Sequence, residues 1–179
     1  MRLHGMSKDA WKRYGPGGTW RYEILDAGFK YNLTDLQAAL GVVQLAKADL
    51  LREKREAVAA RYTERLAESD AWTLPAVPVE QTHAWHLYVI RLNTEAIRAS
   101  RDQIIDELRE LGIGTAVHFI PLHYHPYYQS RWNYRLGDFP TAEYYFERCI
   151  SLPLFPDMTI DEIDYVVDQL LAITAKYRR

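Results

Sequence analysis

Apolar residues recur at helical spacing from Thr34 onward, with Leu36, Leu40, Val43, Leu50, Val58, Tyr62 and Leu66 falling on successive turns. Thr34 followed three residues later by Gln37 is a capping box, in which each side chain satisfies a backbone N–H that the first helical turn leaves unpaired. The pattern predicts one helix from 34 to about 68, ~50 Å long at 1.5 Å per residue. That is longer than a small domain is wide, so the helix is expected to bridge two bodies, or a body and a partner.

Beyond Pro75 and Pro78, His86 to Leu92 is rich in β-formers and predicts a strand. Ser100 and Gln103 form a second capping box, Ile104, Ile105, Leu108 and Leu111 make a buried stripe, and Gly112 supplies a left-handed stop. Residues 114–119 predict a second strand. Pro121 to Pro140 is aromatic, polar and bounded by prolines, and reads as a long surface excursion. A helix is expected from Thr141 to about Cys149, a short strand at Ser151 to Leu154, and a last amphipathic helix capped by Thr159 and Glu162 and using Ile160, Ile163, Val167, Leu170 and Leu171. Residues 1–32 show no sustained period, and Gly15-Pro16-Gly17-Gly18 marks a loop. The sum is an α+β fold, a small and mostly antiparallel sheet covered by helices and fed by one long helix, divided into 1–33, 34–68 and 69–179.

Composition narrows the function classes. The chain has 179 residues, 48% of them apolar, which is enough for a real core. Its 22 basic and 24 acidic side chains leave a formal charge of −2, without the basic footprint of a nucleic-acid binder. One cysteine, Cys149, excludes an internal disulfide, no apolar run reaches the ~20 residues of a membrane span, and Met1 to Gly5 carries no export signature. A cytoplasmic protein is expected. Thirteen tyrosines and five tryptophans point to wet pockets, an interface, or a tyrosine-rich rim of the core.

His118, His123 and His125 invite a zinc reading, but no cysteine joins them and no acidic partner lies near in sequence, so no metal is expected. The glycine run at 15–18 is not a phosphate loop, because no Gly-Lys-Ser/Thr follows it.

Gly28-Phe29-Lys30-Tyr31-Asn32-Leu33-Thr34-Asp35, His83-Ala84-Trp85-His86-Leu87, Gly112-Ile113-Gly114 with His118-Phe119, and Ser151 to Met158 stand in an order and spacing that resembles the DegT/DnrJ/StrS sugar aminotransferases. The first and last stretches look most like the branch that makes UDP-4-amino-4-deoxy-L-arabinose and related 4-amino sugars. The resemblance implies the C-terminal small domain of a fold-type-I transferase dependent on pyridoxal phosphate, with a long interdomain helix. Such an enzyme works as a homodimer whose sites borrow residues from both subunits. It implies amino transfer, typically from glutamate, to a nucleotide-linked keto-sugar.

By that resemblance Asn32 reaches the cofactor phosphate across the dimer interface, and Lys30 could add positive charge there. Asn32 also suits a turn before the Thr34 cap, and both readings can hold. Tyr31, Trp85, His118 and His123 are substrate-side candidates. Trp85 and His86 have the alternative of a packed aromatic and a hydrogen-bonded core histidine. The Schiff-base lysine of the family would stand upstream of Met1, so the chain alone is expected to be inactive. A non-catalytic dimerisation or binding module, and the second subunit of a split aminotransferase completed by a separate N-terminal half, remain open.

Overall fold

The computed structural model describes residues 3–7 and 22–179. The Gly15 to Gly18 loop, Lys8 and Lys12 lie outside the described residues. The chain divides into two units, Met1–Ala48 and Asp49–Arg179.

In the first unit, residues 3–7 run antiparallel to 23–30 through the isolated bridges Leu3↔Lys30 and Met6↔Ile24. Backbone bonds from His4 to the Phe29 carbonyl and from Leu25 to the Gly5 carbonyl, both 2.9 Å, close the pairing. The approach is so close that a Cβ on Gly28 would stand 2.0 Å from the Gly5 nitrogen, and Gly5 itself has φ +67°. Only glycines fit, which explains why the Gly28 motif opens as it does. Helix α1 (Asp35–Leu45) follows, with the Thr34/Gln37 capping box complete and no buried residue.

The single long helix of the sequence reading is interrupted. Helix α1 ends at Leu45 and α2 spans Ala48–Leu66. Between them Ala46 still bonds back to Val42 at 3.2 Å, but Lys47 bonds to Gln44 at 3.0 Å, so the ladder tightens from a four-residue to a three-residue repeat and stops. The apolar period carries across this point, and period alone does not register the change of hydrogen bonding.

The second unit is built on a three-stranded antiparallel sheet in the order β1 (Trp72–Thr73), β2 (Tyr88–Leu92), β3 (Cys149–Leu152). Register pairs Ile90 with Ile150 and Val89 with Ser151. Tyr88, Ile90 and Leu92 alternate into the core, where they meet α2 through Val58, Tyr62 and Leu66, α3 (Arg101–Glu110) through Ile104 and Leu108, and α6 (Ile160–Lys176) through Ile163, Val167 and Leu170. Each such aliphatic side chain stabilises the fold by about 1.5–3 kcal/mol relative to exposure. The two core tyrosine hydroxyls are matched: that of Tyr62 donates to the Pro153 carbonyl at 2.9 Å, and that of Tyr88 meets the Thr63 hydroxyl at 2.8 Å. Arg61 and Arg65 of α2 clasp Asp164 of α6, the first with two bonds of 2.9 and 2.8 Å.

The Ser100 and Thr159 capping boxes are both formed, and Gly112 ends α3 at φ +77°. Three expectations need correction. Residues 114–119 are not a strand: the chain meets β3 at one bridge, Ala116↔Ser151, because Gly114 brings no side chain to pack and the chain leaves toward Pro121. The 121–140 excursion is largely helical, with a 3-10 turn at Leu122–Tyr124 and α4 at Pro126–Trp132, each opened by a proline whose missing N–H costs nothing at a helix start. The last strand begins at Cys149, directly after α5 (Pro140–Arg148), and ends at Leu152.

Candidate functional site

Lys30, Tyr31 and Asn32 follow the Gly5–Gly28 contact and precede the α1 cap. All three are exposed. Tyr31 stacks on Phe29 with centroids 5.2 Å apart. Asn32 is neither in a turn nor at positive φ, so the turn alternative does not hold for it, and its amide makes no hydrogen bond among the described residues.

Trp85, His118 and His123 belong to the second unit. Trp85 is buried in the core at φ +44°, its ring 4.3 Å from His83 and 5.7 Å from Tyr88. This left-handed backbone is sustained by two bonds: the Trp85 N–H donates to His83 Nδ1 at 2.9 Å, and Arg55 of α2 donates to the Trp85 carbonyl at 3.3 Å. The packed-aromatic alternative describes Trp85 well. His86, in contrast, is exposed rather than a core histidine, because the chain turns at Trp85 before β2 starts at Tyr88.

His118 and His123 line two cavities that share Pro121 and Ala142. His118 fixes Nδ1 against the Ser151 hydroxyl at 2.8 Å, and Ser151 sits on the sheet face opposite the core, beside Val89. His123 is only 4% exposed and commits Nε2 to Glu143 at 2.8 Å. Glu143, in the first turn of α5, also accepts the backbone N–H of Gly137 at 2.8 Å and so ties both ends of the 122–138 segment to one carboxylate. Burial works to raise this carboxyl, but the bonds from His123, Gly137 and Phe139 outweigh it and hold the group below the usual carboxylate range. Among the described residues no three His, Cys, Asp or Glu side chains come together as metal ligands. His123 finds its acidic partner 20 residues away in sequence, which local inspection of 118–125 does not reveal.

The His123 cavity is walled by Tyr128, Trp132, Tyr134 and Phe139, with Tyr128 stacked on Trp132 at 5.5 Å. The His118 cavity is walled by Val89, Arg91, Tyr145 and Phe146. Arg91 and Glu143 are the polar residues that the sequence reading passes over. The available signal for Arg91 was alternation, since a charged residue inside Tyr-Val-Ile-Arg-Leu marks the strand face away from the core.

The chain is similar to known proteins over almost its whole length. An uncharacterized protein of Methanocaldococcus jannaschii is 46% identical over 178 residues, covering 99% of this chain and 46% of that protein. The spore coat polysaccharide biosynthesis protein SpsC of Bacillus subtilis is 44% identical over 169 residues, 94% of this chain and 43% of that one. Among solved structures, the putative sugar aminotransferase Spr1654 from Streptococcus pneumoniae in its PMP form superposes with a TM-score of 0.79 at 32% identity, covering 98% of this chain and 43% of that one. Helicobacter pylori PseC, an aminotransferase involved in the biosynthesis of pseudoaminic acid, gives 0.76 at 25% identity, covering 98% of this chain and 44% of that one. The chain therefore spans less than half the length of each. Its helices and small antiparallel sheet match the C-terminal domain of such aminotransferases. The sequence profile of the DegT/DnrJ/EryC1/StrS aminotransferase family matches residues 1–171, and the chain belongs to that family.

Proposed function

We propose that this chain provides the small-domain half of a sugar aminotransferase dependent on pyridoxal phosphate, acting on a nucleotide-linked keto-sugar with glutamate as amino donor. The product class proposed is a 4-amino sugar of the UDP-4-amino-4-deoxy-L-arabinose kind, on the strength of the Gly28 to Asp35 and Ser151 to Met158 motifs. The observation that carries the reading is near-complete superposition on a sugar aminotransferase that the chain fills to only 43%.

When bound, pyridoxal phosphate supplies the electron sink for amino transfer. The residues present suit its anchoring. Asn32 offers two uncommitted amide N–H groups to phosphate oxygens, on a backbone set by the Gly5–Gly28 contact, and Lys30 adds positive charge beside it. Tyr31 presents a hydroxyl on a ring steadied by Phe29. His118, with Nδ1 held by Ser151, leaves Nε2 for a substrate oxygen. His123 and Trp85 position their surroundings, the first through Glu143 and the second through its backbone bonds. Among the described lysines, Lys54 and Lys176 are paired with Asp157 and Glu107, and Lys30 and Lys47 are exposed.

The test supplies pyridoxal phosphate, glutamate and a UDP-linked 4-keto sugar to the purified chain, alone and mixed with a separately produced large-domain half. Amino-sugar formation is followed by mass spectrometry. Transfer in the mixture and none by the chain alone is the expected result. No transfer in either sample would favour a non-catalytic association module, which the uncovered apolar face of α1 supports.

A further inference from the structure

The sheet face opposite the core carries an arginine that has no acceptor among the described residues. Because Tyr88, Ile90 and Leu92 point into the core, Val89 and Arg91 point the other way, into a cavity of about 620 Å³ bounded by β2, α5 and the 118–121 stretch. That volume falls in the range of small-molecule sites. The Arg91 guanidinium carbon lies 4.6 Å from the Tyr145 ring centroid, and the group makes no hydrogen bond or ion pair among the described residues. Other arginines lining described cavities are matched: Arg61 and Arg65 by Asp164, and Arg178 by Asp70. Among the described residues no carboxylate lines the Arg91 cavity.

The five guanidinium N–H groups, uncommitted within the described chain and facing a solvent-filled cavity, are available to an acceptor from outside. Contact with the Tyr145 ring holds the cation over an aromatic face while leaving its N–H groups available. His118 lines the same cavity and is itself anchored by Ser151. Val89, Leu74 and Phe146 add apolar wall, so the site joins two cationic or donor groups to a surface suited to a sugar or base.

We propose that Arg91, with His118, forms an anion subsite that takes the diphosphate of a nucleotide-linked sugar. The assignment rests on the amino-sugar reading above. Calorimetric titration of the chain with UDP, inorganic pyrophosphate and, as a carboxylate control, glutarate tests it. UDP and pyrophosphate are expected to bind, and Arg91→Gln is expected to weaken both by about ten-fold or more, the loss of a charge-assisted bidentate partner. Arg91→Lys keeps the charge without the fork and falls between, while glutarate binds at least as weakly as UDP does to Arg91→Gln. His118→Gln weakens UDP with Arg91 intact, a readout that does not depend on the Arg91 variants folding, and thermal melts confirm that each variant folds.

Failure of both phosphates to bind, unchanged affinity in folded Arg91→Gln, or glutarate competing as well as UDP would each overturn the subsite. Its fate is separable from that of the amino-sugar reading. A complex that transfers amino groups while UDP affinity ignores Arg91 loses the subsite alone. A chain that binds UDP through Arg91 without transfer in any mixture keeps the subsite and loses the aminotransferase reading.

Discussion

Glu143 is the residue on which the 122–138 segment turns. One carboxylate receives His123 from the 3-10 turn and the backbone N–H of Gly137 from the far end of the segment, and both bonds are 2.8 Å. Glu143→Gln keeps the volume but removes the charge and one acceptor oxygen, so the amide cannot serve both donors as the carboxylate does. The expected outcome is earlier proteolytic cleavage within 122–138 and a lower melting temperature, with the core of the second unit still folded. Equal cleavage rates in the two proteins would show that the aromatic stacking of Tyr128, Trp132 and Tyr134 holds the segment without it. This residue also shows where sequence reading stops. His123 was legible as a candidate, but its partner is 20 positions away on another helix, and only the folded chain brings them together.

At the scale of elements, the three capping boxes were legible because the capping bond is local: the deciding atoms lie three residues apart in Thr34–Gln37, Ser100–Gln103 and Thr159–Glu162. Strand β2 was legible for the same reason, through its own alternation. Strand β1 is two residues long and exists only because Trp72 and Thr73 find Leu92 and Arg91, so no periodicity announces it. Equal legibility does not mean equal weight. Helix α6 buries six residues and α1 none, so Thr159→Ala is expected to cost about 1 kcal/mol of unfolding free energy in urea titration, the usual value of a lost N-cap. Thr34→Ala is expected to leave that transition where it was.

The clasp between α2 and α6 adds a pH dependence. The two hydrogen bonds from Arg61 hold the Asp164 carboxyl below its ordinary range, with the charges of Arg61 and Arg65 adding to this and burial opposing it. A group whose folded pKa is depressed contributes stability that is fully present above its unfolded value, about 3.9 for aspartate, and lost as pH falls toward the folded value. Melting temperature is therefore expected to drop on acidification below about pH 4. The drop is expected to be shallower in Asp164→Asn, which is already without the charge at neutral pH.

For the molecule as a whole, the first unit presents exposed apolar side chains among its described residues. Leu36, Leu40 and Val43 share one face of α1 by their spacing and are 75%, 62% and 54% exposed. Such a patch is usual for a surface that meets a partner. Analytical ultracentrifugation of the chain is expected to show association that grows with concentration and is reduced by Leu40→Glu, whereas a monomer at all concentrations would oppose a role for this face in assembly. Among the described residues no helix is long and apolar enough to cross a membrane.

Cys149 gives the molecule a built-in reporter. It is the only cysteine in the chain, it opens β3 opposite Arg91, and it lies 6% exposed on the wall of the same cavity. Burial pushes its thiol above the ordinary value, so at neutral pH little of the reactive thiolate is present. Alkylation by a maleimide then reports how often the sulfur becomes accessible and ionised, and mass spectrometry of the single adduct follows it without any engineered label. A ligand filling the cavity would lengthen the labelling time, which turns one unreactive side chain into a clock for how tightly this sheet is closed.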